Sequence, residues 1–290
     1  MSARMGELAG WLFDPYQFEF MRRALIVLVI ISVVGAVVGA FVVHKGLAFS
    51  GDALAHATLA GVAIAFVNGA SVGLGALVAG VLTALGIGWT RRRTRVSYDT
   101  AIGILFVGMF SLGILVMSRR TSYTPDLFAF VFGNILGVSN ADLIGAAVMA
   151  GVVLLFVWAF YRELLFVAYD PAMAAASGVR AALFQYALLV MIAVAVVVAL
   201  KAIGIVLVNA MLIVPAATAG LVAARMSRIM LIGSGVALTA SVVGLHISFY
   251  ARVSASAAIV LTACAIFLVT ALAVGRRPSA GVAAAERAPR

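Results

Sequence analysis

The chain has a single cysteine in 290 residues, Cys264. One thiol excludes an internal disulfide and a cysteine-ligated cluster, and its apolar surroundings read as those of a small packing residue. Charge is nearly as scarce. Charged residues make up 10% of the chain and only 10 are acidic, where a soluble domain is about a quarter charged. No G-x-x-x-x-G-K-[ST] phosphate loop occurs, which excludes nucleotide hydrolysis by that route. No long polar stretch separates the apolar runs, so no soluble ligand-capturing domain is expected between them. A basic start followed promptly by an apolar core and a cleavage site is also missing, so no secretory signal is expected.

What is abundant is apolar. Hydrophobic residues account for 65% of the chain, and mean hydropathy is +1.21. Runs of about twenty apolar residues recur, each long enough to cross the hydrocarbon layer as a helix. The sequence therefore predicts an all-α polytopic membrane protein with eight or nine transmembrane helices packed through small residues. Spans are expected at about 24–43, 53–68, 72–89, 100–117, 141–161, 181–200, 203–224, 229–249 and 254–275. Residues 1–20 read as an interfacial segment, 21–275 as the transmembrane domain and 276–290 as a disordered cytoplasmic tail. Residues 121–138, interrupted by Pro125, Asp126, Gly133 and Asn134, read as re-entrant or surface-lying.

The net charge of +10 sits in short loops, where it sets topology rather than binding nucleic acid. Arg91, Arg92, Arg93 and Arg95 form the strongest such signal and belong in the cytoplasm. Nine spans then put the N-terminus outside and the C-terminus inside, with most of the 20 basic residues in the cytoplasm. Arg22-Arg23 and Arg119-Arg120 run against that bias.

Against this background Asp52 and His56 stand out. Residues four apart share a helix face, so the pair presents an oxygen and a nitrogen donor to one cavity. That donor set suits zinc, manganese or iron. The competing reading is a mutual hydrogen bond with a structural role. The short span that carries them follows Gly46 and Gly51, which predicts irregular backbone lining a cavity before Asp52. Further along, Asp170 followed by Pro171 is a helix start and Gly178 a stop. The small residues Ala172–Ala176 would let this short helix seat in a groove on another protein, or it is an ordinary loop helix. Pro215 is expected to kink its span and free carbonyls toward a pathway. Gly35 and Gly39 form a small-xxx-small pair that permits close packing. His246 reads as an interior or interfacial histidine.

Four blocks then carry a family resemblance: FVVHKGLAFSGDALAHA at 41–57, FGNILG at 132–137, YDPAMAAASGV at 169–179 and GIVLVNAMLIVPAATA at 204–219. Over roughly residues 18–275 the chain resembles the permease subunits of bacterial zinc/manganese/iron ABC importers, the ABC-3 family. The resemblance implies that Asp52 and His56 line the translocation pathway and contact the ion. It implies that the helix marked by Asp170, Pro171, Ala174 and Gly178 couples to a separate ATP-binding cassette subunit. An extracytoplasmic metal-capture protein, a second permease copy and ATP on the partner subunit follow by the same analogy, with the metal as cargo and no permanently bound cofactor. His44 departs from the family pattern, in which a basic residue commonly precedes the equivalent of Lys45, and no function attaches to it.

Three rivals remain on the sequence. A permease for a metal chelate would need a wider, aromatic-lined route than this compact charged pair. A secondary metal/proton carrier would use Asp52 and His56 as a relay, but no matched pair of broken helices is seen. An intramembrane hydrolase lacks a nucleophile motif.

Overall fold

The computed structural model describes residues 14–118 and 135–275. The segment at 1–13, most of the expected re-entrant stretch and the tail at 276–290 lie outside the described residues. The rest is helical, with no strand among the described residues. The helices are α1 (Glu19–His44), α2 (Ala48–Val67), α3 (Val72–Arg93), α4 (Tyr98–Ser118), α5 (Asn140–Ala159), α6 (Tyr161–Tyr169), α7 (Pro171–Ala176), α8 (Ala181–Ile203), α9 (Ile205–Val222), α10 (Met226–Ala251) and α11 (Ala255–Gly275). Short 3-10 turns at Asp14–Gln17 and Ile135–Gly137 complete the list. Nine of these described helices, all but α6 and α7, are long and apolar enough to span a membrane. In hydrocarbon only helices or closed barrels satisfy every backbone group, and this composition leaves helices.

Glycine decides how the helices assemble. α9 packs on α1, α10 and α11, while α2 packs between α3 and α4, and α8 bridges α3, α5, α2 and α1. A Cβ placed at Gly39 of α1 would collide with the carbonyl oxygen of Leu212 in α9, and one at Gly35 would lie 3.0 Å from the carbonyl of Met211. Gly61 of α2 and Gly75 of α3 meet in the same way, each against the other's carbonyl. Lipid tails supply no hydrophobic drive between helices, so such backbone contact is how they associate. Ser32 of α1 adds a hydrogen bond to Ser241 of α10 at 3.1 Å.

One detail differs from the sequence expectations. The backbone before Asp52 is regular helix, because the two glycines there do different jobs. Gly46, at φ +66°, makes the turn, and α2 starts at Ala48 with Gly51 inside its first turn. Pro215 lies within α9, which runs through it unbroken. The carbonyl of Met211, which Pro215 leaves without its i+4 partner, packs against Gly35.

The bundle has two distinct ends. Lys45 after α1 donates to the carbonyl of Val167 in α6 at 3.0 Å. Arg92 at the end of α3 stands 6.0 Å from the ring centre of Tyr186 at the start of α8, and Arg91 stands 5.1 Å from that of Tyr98. The arginine cluster, the α1–α2 turn and α7 therefore share one end. At the other end, Tyr16 meets the buried His246, with Oη 3.3 Å from Nδ1 and the rings edge-on. His246 Nδ1 also lies 2.8 Å from the carbonyl of Val242, the interior role expected of it.

Replacing Gly39 by leucine should force α1 and α9 apart at a cost of about 3 kcal/mol or more. Gly145→Leu, where a side chain meets nothing within 4 Å, should be neutral. Thermal denaturation of both purified variants in detergent checks this, and equal midpoints would refute the contact.

Candidate metal pathway site

Asp52 opens the second turn of α2, and His56 follows one turn later on the same face. Their closest atoms, Asp52 Oδ1 and His56 Nε2, are 3.6 Å apart. That is too long for a hydrogen bond, though within the range of an ion pair were His56 protonated. Asp52 instead accepts a hydrogen bond from Asn209 Nδ2 of α9 at 2.7 Å. α9 can come this close because Gly51 has no side chain: a Cβ there would stand 2.9 Å from Asn209 Oδ1. The Asn209 amide oxygen is buried and accepts no hydrogen bond from the protein.

Asn209 is the functional candidate that the sequence reading did not single out. The available signal was its solitude, as the one amide in IVLVNAMLIVPAATAGLV. Polar side chains at membrane depth face the bundle interior or a cavity. His56 has neighbours that escaped notice too. Phe106 and Phe110 of α4 hold its ring with centroids 5.7 Å away in each case.

The geometry leaves room for an ion. Placed about 2.1 Å from both Asp52 Oδ1 and His56 Nε2, an ion would subtend an angle on the order of 120°. Oδ1 keeps a lone pair for it beside the Asn209 bond. No cluster of three or more His, Cys, Asp and Glu side chains occurs among the described residues. The pair by itself offers two protein donors. Its side chains remain accessible, 50% exposed for Asp52 and 30% for His56. Phe49, one turn before Asp52, is 77% exposed.

The predicted short helix is α7, capped at both ends. Asp170 Oδ1 accepts from the N–H groups of Ala172 at 3.0 Å and Met173 at 2.9 Å, with Pro171 in the first turn. At the other end Gly178 takes φ +85°. Its N–H bonds the Ala175 carbonyl, and that of Val179 bonds the Ala174 carbonyl, a Schellman closure. Ala174 departs from its expected role. It is fully buried in a small cluster with Val167 and Ala181, so it anchors α7 to its own chain, and Ala172, Met173, Ala175 and Ala176 form the open face. The six-residue helix is thus set by its caps. Asp170→Ala should lose about 1 kcal/mol of local stability, read as faster hydrogen exchange at Ala172 and Met173; unchanged exchange there would contradict the cap.

Comparison with known proteins places the chain. The model of the ABC 3 transport family matches residues 17–274. A Listeria monocytogenes protein named manganese transport system membrane protein MntC is 38% identical over 256 residues, covering 88% of this chain and 91% of that one. A Haemophilus influenzae protein named probable iron transport system membrane protein is 36% identical over 201 residues, covering 69% and 74%. Among solved structures, PsaBC from Streptococcus pneumoniae in complex with Fab superposes with a TM-score of 0.80 at 36% identity, covering 91% of this chain and 95% of that one. An inward-facing putative metal-chelate type ABC transporter shares the fold, with a TM-score of 0.71 at 14% identity and coverage of 87% and 86%. This chain belongs to the ABC 3 transport family and is a multi-pass membrane permease rather than an enzyme.

Proposed function

We propose that the chain is the transmembrane subunit of an ATP-driven importer of divalent transition metal, with manganese as its cargo. The observation that carries this reading is the trio on α2 and α9: a carboxylate and an imidazole aimed at one point, with the carboxylate held by Asn209. Ionised Asp52 supplies charge to a desolvated cation, and neutral His56 supplies nitrogen. Oxygen with a single imidazole suits manganese or ferrous iron better than a thiolate site would, and relatives are named for manganese and iron. Zinc is also compatible with these donors. Two protein donors hold an ion loosely, which suits passage rather than storage.

The chain contains no phosphate loop, so hydrolysis belongs to a separate ATP-binding cassette subunit. α7 is the piece that docks into it, from the end that carries the arginine cluster. That end faces the cytoplasm by the positive-inside bias, with the N-terminus outside, and the membrane we infer is a bacterial cytoplasmic one. A metal-capture protein delivers the ion to the outer end, and ATP binding and hydrolysis rock the helices between outward and inward access. The open face with Phe49, Asp52 and His56 suits a second copy across a two-fold axis, the commonest closed symmetry.

The test is metal content in cells lacking their own importers that express this chain with its ATPase and capture protein. Manganese should rise with the wild type and stay at background with Asp52→Ala or His56→Ala at equal protein level. Asn209→Ala should reduce metal affinity by about tenfold or more, as loss of a group that orients a ligand does. Uptake surviving both ligand substitutions would remove the site, and uptake without the ATPase would remove the importer reading.

A further inference from the structure

Lys45 lies outside the metal site, yet it joins that site's helix to the segment that leads into α7. Its ammonium reaches the carbonyl of Val167 in the last turn of α6 at 3.0 Å, across 122 positions of sequence. Carbonyls in a last turn lack partners in their own helix, and a cation there also meets the negative end of the helix dipole. Beside it the His44 ring packs on Tyr169, the final residue of α6, with centroids 4.1 Å apart. Asp170 follows at once and opens α7. The elbow between α6 and α7 is thus clasped to the end of α1. Burial pulls the Lys45 ammonium below the ordinary lysine range, and the Val167 carbonyl offsets part of that lost hydration.

On its other side Lys45 is tied to α2 by a stiff connection. Gly46 N–H bonds the Val43 carbonyl at 3.1 Å and Leu47 N–H bonds the Val42 carbonyl at 2.8 Å. Gly46 takes φ +66°, and Ser50 Oγ donates to the Leu47 carbonyl at 2.6 Å. No slack residue separates Lys45 from the first turn of α2, and Asp52 begins the second.

We propose that Lys45 is a positioning residue of the transport cycle: its bond to Val167 carries movement of the α6–α7 elbow into α2 and so resets Asp52 and His56. The proposal rests on the reading of α7 as the helix that docks into the ATPase. A polar contact between two stiff segments can hold in one arrangement and release in another, which is the element that coupling between distant sites requires.

The experiment uses the assembled complex of this chain, its ATPase and the capture protein in proteoliposomes, with manganese uptake and ATP hydrolysis measured on the same sample. In Lys45→Met, manganese affinity and ATP hydrolysis should stay within about twofold of wild type while manganese moved per ATP falls about fivefold or more. Lys45→Arg, which keeps a charged donor of similar reach, should restore most of that ratio. An unchanged ratio in Lys45→Met overturns the proposal and leaves the importer reading standing. Parallel loss of affinity, hydrolysis and uptake that Lys45→Arg does not recover also overturns it, because Lys45 is then only structural. Should Lys45→Met fail to assemble, Lys45→Gln, one bond shorter and uncharged, is measured in its place against the same outcomes. A wild-type complex that hydrolyses ATP and moves no metal overturns the importer reading, and this proposal with it.

Discussion

Leu212 of α9 is wedged between two glycines, its carbonyl against Gly39 of α1 and its side chain against Gly51 of α2. Much of the site's geometry follows from that wedge. It brings α9 close enough to α2 for Asn209 to reach Asp52. In a bundle surrounded by hydrocarbon, helices are held by close van der Waals contact and a few polar bridges rather than by expulsion of water. The glycine contacts are thus both the packing energy and the alignment of the site. The same economy appears between α2 and α3, where Gly61 and Gly75 bring the backbones together and fix the opposite flank of the site helix.

The electrostatic design follows from the scarcity of charge. Asp52 is the one acidic residue of α2, and it stands in a helix that is otherwise almost wholly apolar. An ionised carboxylate there needs partners, because unpaired charge is costly away from water. Asn209 supplies one hydrogen bond, His56 stands nearby, and the remainder of the shell is open. In the proposed function, two donors could not grip a cation as a closed structural site would.

Much of this was legible in the sequence. The nine spans could be read because each is a run of about twenty apolar residues. The caps of α7 could be read because Asp-Pro and a later glycine have one local meaning each. What could not be read depended on partners far along the chain. Gly46 and Gly51 look alike in sequence, but one makes a left-handed turn and the other makes room for Asn209. Asn209 lies 157 positions from Asp52, beyond any rule of helical spacing. Ala174 could not be told from Ala172 or Ala175, since only the packing of α6 and α8 decides which alanine is buried. The capping of α6 by Lys45 was hidden for the same reason.

The most direct measurement is anomalous scattering at the manganese absorption edge, from crystals of this chain with its partners grown in manganese. The account predicts a peak between α2 and α9, about 2.1–2.2 Å from both Asp52 Oδ1 and His56 Nε2, lost in Asp52→Ala. A manganese peak held by other side chains, with Asp52 still bonded to Asn209 alone, would contradict it.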